Sequence, residues 1–295
     1  MTLRSVLRQR DVNLEVIVVD EASTDDTPAM LAALHDSRVR VIRHDTPSGV
    51  ANARNRAAAE AHGDWLAFVD DDDLWAPEKL VCQLQAAEQL GRDWAYTGGV
   101  VINMHGQILR VQRPLPPEEI VKALLRYHAL PGGGSNIVVR RQAWQRAGPF
   151  DTRLRNTEDW EMCIRLAKQG PPAWVCSPLI ARRLHHSNAT LDLSEIVRGT
   201  QLIEAVHHTT ADWGTLHRWF AHSCLRAGRR WAALGQFARA AVRGQPRAVA
   251  ADLGAILQRV VAGGILASSA HNRDDAWIAM ATAWIHELLN SSPLC

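Results

Sequence analysis

The feature that most constrains this chain is the alternation of short β-branched runs with helical runs over its first ninety residues. "LEVIVVD" (Leu14–Asp20) is a short run of the buried-strand type. "STDDTPAMLAALHD" reads as a helix with Pro28 near its first turn. "VRVIRH" (Val39–His44) is a second strand, and the Ala-rich "GVANARNRAAAEAHG" (Gly49–Gly63) a helix ending at Gly. "WLAFVD" (Trp65–Asp70) is a third strand, followed by "APEKLVCQLQAAEQLG", a helix entered at Pro77. Such alternation implies βαβ crossovers and an α/β fold: a mostly parallel central sheet with helices on both faces.

After Trp94 the rhythm changes. "WAYTGGVVINMHGQILRV" has the form of a hairpin turning at His105-Gly106. A helix near Pro117–His128 follows, then "GGGSNIVVRRQAWQRAG" as a Gly loop, strand and short helix, then the amphipathic "TEDWEMCIRLAKQG" stopping at Gly170. From about Leu191 the pattern is helical to the end, with breaks at Gly228 and Gly244. The expected organisation is therefore 1–190 as the α/β domain and 191–295 as an all-helical C-terminal region. Its tryptophans, Trp213, Trp219, Trp231, Trp277 and Trp284, are expected in the core, as aromatic residues at helical spacing usually are.

Charge narrows the function classes. With 33 Lys+Arg against 31 Asp+Glu the formal net charge is +2, which leaves no electrostatic footprint for nucleic acid. The five cysteines are scattered without a Cys-x-x-Cys pair, which fits a reducing, cytoplasmic setting better than a disulfide framework or zinc site. The N-terminal residues carry charges where a signal peptide is apolar, and no apolar run reaches membrane-spanning length. The basic stretch "RAGRRWAALGQFARAAVRGQPR" suits peripheral contact with the inner face of an anionic membrane, though a plain helical appendage is the simpler expectation.

Three acidic sites carry the chemistry. Four aspartates, Asp70 to Asp73, stand at the carboxyl end of the third strand, where α/β sheets bind ligands. Strand alternation would turn Asp70 and Asp72 one way and Asp71 the other. Two converging carboxylates suit a hard divalent cation, Mg²⁺ or Mn²⁺, that shares its oxygen ligands with substrate phosphates and relieves their repulsion. Asp20 and Glu21 close the first strand and suit hydrogen bonds to a nucleoside, while Ser23, Thr24 and Asp25 serve to cap the next helix. Glu158 and Asp159 open a helix, a placement that the helix dipole alone would favour.

Together with "SVLRQRDVNLEVIVVDEASTDDT", "GVANARNRA", "GDWLAFVDDDDLWAPEKL" and "NIVVRRQAWQRAGPFD", these sites resemble the family 2 glycosyltransferases over Leu3 to Thr190. The resemblance implies the GT-A fold, which is Rossmann-like, and inverting transfer of a sugar from a nucleotide-diphosphate donor to a glycan, lipid-linked or small-molecule acceptor. By position it implies that Asp20 and Glu21 hold base and ribose, that Asp71 lies near the ribose, and that Asp70 and Asp72 bind the metal. It makes Asp159 the general base, with Glu158 and Trp160 beside it in the acceptor or diphosphate region. Arg54 falls in the helix flanking the nucleotide. "ARRLHHSNAT" resembles an Arg-x-His stretch in which His185 touches metal or diphosphate and Arg183 neutralises charge, although a solvated basic strand end would read the same.

Two departures stand out. The family opens with a strand and a Pro-Thr-Tyr-Asn-like loop before the "SVL" helix, whereas this sequence begins inside that helix. The sheet is therefore expected to lack its central first strand, or the start to lie further upstream, and a chain without that strand to be impaired. Glu21 also stands where the second Asp of the first motif is usual. Rival readings are a sugar-phosphate nucleotidyltransferase, for which no Gly-rich triphosphate loop is visible, and a degenerate sugar-binding or scaffold protein. A haloacid-dehalogenase-like phosphatase needs Thr or Val where this chain has Leu74.

Overall fold

The computed structural model describes residues 1–185, 192–261 and 271–290. The proposed boundary at Leu191 and the residues of the Arg-x-His stretch beyond His185 lie outside them. The α/β part runs α1 (Thr2–Leu7), β1 (Val16–Asp20), α2 (Thr27–Ala32), β2 (Val39–Arg43), α3 (Val50–Glu60), β3 (Trp65–Ala67), β4 (Leu74–Trp75) and α4 (Lys79–Leu90). It continues with β5 (Trp94–Ile102), β6 (Ile108–Gln112), α5 (Pro117–Leu124), a 3₁₀ turn (Gly133–Asn136), β7 (Val138–Arg140), α6 (Arg141–Ala147), α7 (Glu158–Gln169) and β8 (Ala173–Arg183). Five helices follow: α8 (Leu193–His207), α9 (Trp213–Arg226), α10 (Arg230–Val242), α11 (Pro246–Val261) and α12 (His271–Asn290).

The elements match the sequence reading closely and the local reasons hold. Pro28 sits in the first turn of α2, where a missing N–H costs nothing. Gly91 ends α4 in the left-handed conformation. Asp192 and Asp212 cap α8 and α9 by accepting backbone N–H groups of their first turns.

The sheet differs from expectation. It is mixed rather than mostly parallel, with order β3-β7-β5-β8-β4 and β6 paired to β5. Only β5–β8 is parallel within it, and β7, β4 and β6 all run against their neighbours. The reason lies after Trp94: a hairpin and two return strands insert antiparallel pairs that the early βαβ rhythm does not announce. β1 and β2 form a separate parallel pair, so the described strands fall in two sheets. An apolar cluster in which Val6, Leu14 and Val16 meet Trp65, Val69 and Trp75 packs the two parts together.

The helices after residue 191 share the core of the α/β part. Ile196 and Ile203 of α8 and Leu216 and Phe220 of α9 join the large cluster with Trp160, Ile164 and Tyr96. Trp277, Ala281, Trp284 and Ile285 of α12 pack on Leu74, Val100, Ile102 and Ala181 of the sheet. Gly98 permits this: a Cβ there would come within 2.4 Å of the Trp277 ring. Trp213 and Trp219 pack at the edge of the core, but Trp231 does not, being 86% exposed. Helical spacing cannot distinguish which of two apolar faces finds a partner.

Candidate active site

The four aspartates are held by a turn, not by a strand. β3 ends at Ala67, and the Asp73 N–H donates to the Asp70 carbonyl at 3.2 Å. Strand alternation therefore does not sort these side chains. The turn instead gathers Asp70, Asp72 and Asp73 so that one oxygen from each lies within 4.8 Å of the others, leaving exposed Asp71 outside the group. Asp73, which the sequence marks only as one of the four aspartates, is the buried member. Burial, and then the charges of Asp70 and Asp72, push its carboxyl well above the usual range.

The chain supplies partial answers to this repulsion. Arg54 of α3 donates to Asp70. His185, just past β8, stands with Nε2 2.8 Å from Asp72 Oδ2. The Arg183 backbone N–H donates to Asp73 Oδ1 at 3.1 Å. Three clustered oxygens beside an imidazole remain a donor set for a hard divalent ion. The residues fit Mg²⁺ or Mn²⁺.

Arg54 carries more than its place on a flanking helix suggested. Its other terminal nitrogen donates to Glu158 Oε1 at 2.7 Å, so one buried guanidinium ties α3, the aspartate turn and the start of α7 together. The two carboxylates hold it charged against the cost of burial. Glu158 is buried, its Oε2 has no hydrogen-bond partner, and burial with the neighbouring Asp159 charge raises its carboxyl to about 7. Asp159 Oδ1 accepts the Trp160 N–H at 2.7 Å, and Oδ2 lies 3.2 Å from His128 Nε2. Burial works to raise the Asp159 carboxyl, but His128 and Arg54 more than offset it and hold it well below the usual range. His128 in turn keeps its proton to higher pH than a free imidazole, because Asp159 outweighs the cost of burial.

The glycine-rich turn pins this arrangement. The Asp70 N–H donates to Ser135 Oγ at 2.9 Å, and the Trp75 indole donates to the Ser135 carbonyl at 2.8 Å. Asn136 clamps the turn to β5 through Thr97. A Cβ on Gly133 would come within 2.9 Å of Asp159 Oδ2, and one on Gly134 within 2.7 Å of Arg54 Nη2. The run "GGGSN" was the available signal for this support; nothing local marked His128, and Asp73 was marked only as one of four adjacent aspartates.

Other sequence-predicted residues fall elsewhere. Trp160 is in the core, its indole donating to the Leu124 carbonyl at 2.6 Å, so it offers the site no open ring face. Asp20 and Glu21 do lie at the end of β1 but are engaged within the chain. Asp20 pairs with Arg43 and accepts the Ser23 N–H. Glu21 accepts the Ser48 and Gly49 N–H groups, both at 2.6 Å, tying the loop before α3 to β1.

A mixed sheet with helices on it, an acidic cluster in the turn after β3 and a buried carboxylate pair beside that turn define the fold class, that of the GT-A glycosyltransferases. The model of Glycosyl transferase family 2 matches residues 1–148, and the chain belongs to that family. It is 31% identical over 168 residues to an uncharacterized glycosyltransferase of Haemophilus influenzae, covering 57% of this chain and 56% of the relative. It is 39% identical over 87 residues to the Escherichia coli UDP-Glc:alpha-D-GlcNAc-diphosphoundecaprenol beta-1,3-glucosyltransferase WfaP, covering 30% of this chain and 35% of the relative. The matches thus span about half or less of these relatives' lengths. Among solved structures, S. aureus TarS 1-349 in complex with UDP-GlcNAc aligns with a TM-score of 0.56 at 17% identity, covering 69% of this chain and 61% of that one.

Proposed function

We propose that this chain transfers a sugar from a UDP-sugar to an acceptor hydroxyl with inversion at the anomeric carbon. The observation that carries this reading is the Arg54 bridge, which joins the acidic cluster through Asp70 to the Glu158-Asp159 pair and so makes one site of two sequence-distant motifs. The donor class rests on the UDP-sugars of a relative and of a structural neighbour, UDP-Glc and UDP-GlcNAc.

In this reading Asp70, Asp72 and Asp73, with His185, hold Mg²⁺ or Mn²⁺. When bound, the ion supplies electrostatic stabilisation of the leaving diphosphate. Asp159 takes the proton from the acceptor hydroxyl as its oxygen bonds to the anomeric carbon and the bond to the diphosphate oxygen breaks. Attack opposite the leaving group, aided by a single base, inverts that carbon. Arg54 keeps Glu158 and Asp70 apart in charge, and Arg183 fixes Asp73 through its backbone. Asp20, Glu21 and Asp71 line the nucleoside side, with Glu21 acting by holding the Ser48-Gly49 loop.

Calorimetry with UDP, UDP-glucose and UDP-GlcNAc, with and without Mn²⁺, tests this on the chain and on Asp72→Ala. Metal-dependent UDP binding that the substitution weakens at least about tenfold supports the reading. Binding that is indifferent to metal and to Asp72 overturns it.

A further inference from the structure

We propose that the outer face of α10 docks this protein on an anionic bilayer surface. The helix has two apolar stripes. One holds Phe237 and Ala240, buried against Ala221 of α9, together with buried Ala233. The other is bare: Trp231 is 86% exposed, Leu234 50% and Val242 87%. With about 100° per residue, Trp231, Leu234, Ala238 and Val242 fall within an arc of about 80° opposite the buried stripe. A helix apolar on two faces needs a second partner.

Charge identifies that partner. Exposed Arg230 flanks the bare stripe on one side and exposed Arg239 on the other, with Arg243 just beyond. From Trp213 to Ala251 the sequence holds seven arginines and no Asp or Glu. Asp252, which follows, is taken by Arg218. An indole at headgroup depth, aliphatic side chains just below it and arginines against lipid phosphates are what an anionic interface accommodates. A second copy of the chain would bring like charge against like. A nucleic acid would meet the arginines but leave Leu234 and Val242 without a role.

The docking does not rest on the transferase reading.

Flotation of the full chain with phosphatidylcholine vesicles, with and without phosphatidylglycerol to supply the negative surface potential, tests the proposal. The Trp231→Ser/Val242→Ser chain and an Arg230→Gln/Arg239→Gln/Arg243→Gln chain are compared after circular dichroism shows the native fold. Binding to the anionic vesicles only, lowered at least about tenfold in each variant, is the expected result. Absence of binding, or binding equal in the variants, overturns it. So does a concentration-dependent dimer, or retention on RNA, that the variants lose in place of vesicle binding. UDP binding measured on the same samples separates the two readings: vesicle binding without UDP binding leaves docking standing and removes the transferase reading, and the reverse removes docking alone.

Discussion

At the scale of single residues, the site is organised by charges that hold one another in place. Arg54 meets Asp70 and Glu158, and His128 meets Asp159. Replacing Asp159 by Asn keeps its shape but removes its capacity to take a proton. Transfer should fall by about 10²–10⁴-fold while UDP binding is unchanged; equal loss of both would place Asp159 in binding instead. The imidazolium of His128 weakens Asp159 as a base. His128 is faced by Asp159, Glu158 and Arg182, and its proton is held above the ordinary imidazole value of 6.5. As pH rises through that raised value the proton leaves, Asp159 becomes the stronger base, and turnover should rise. The same pair stabilises the fold fully below the unfolded imidazole's pKa, and His128's contribution is lost as pH climbs through the raised value. His128→Gln should flatten the alkaline rise in a pH–rate profile; an unaltered profile would separate His128 from the base.

At the scale of elements, the Gly133–Asn136 turn supports the site without touching its chemistry. Gly134→Ala would place a methyl group 2.7 Å from Arg54 Nη2 and displace the guanidinium from Asp70 or Glu158. A loss of about 1–3 kcal/mol in urea unfolding is expected, together with weakened metal-dependent UDP binding. An unchanged chain would mean Arg54 has room to move. β3 illustrates the limit of periodicity at this scale. "WLAFVD" reads as a strand through Asp70, yet pairing with β7 stops at Ala67, and the three residues beyond lead into the aspartate turn. Where a strand stops depends on how far its partner runs, which no local pattern records.

At the scale of the whole molecule, the C-terminal helices complete the α/β core. α12 covers the sheet face formed by β4, β5 and β8, with the Trp284 indole donating to the Pro178 carbonyl at 2.9 Å. Trp284→Ala should cost about 3–5 kcal/mol in urea unfolding. A loss under about 1 kcal/mol would show α12 to be an appendage after all. No described helix is long and apolar enough to cross a membrane.

The sequence by itself determined the class of fold, the acidic motifs and the order in which they come, because strand and helix periods, proline and glycine punctuation and runs of charge are local properties. It also singled out Asp70, Asp72, Glu158 and Asp159 together, through resemblance rather than spacing; Arg54 pairs with Asp70 and Glu158 and so links the two motifs. Only the tertiary structure decided that the sheet is mixed, that Asp73 and not Asp71 joins the cluster, and that Trp160 is core. The same holds for Arg54 between its two carboxylates and for the opposite fates of Trp284 and Trp231. The physical reason is common to these cases. Each depends on a contact between segments remote in sequence, such as Arg54 with Glu158, 104 residues apart. Such a contact forms only when packing has chosen which apolar face is covered and which charges are left to find each other.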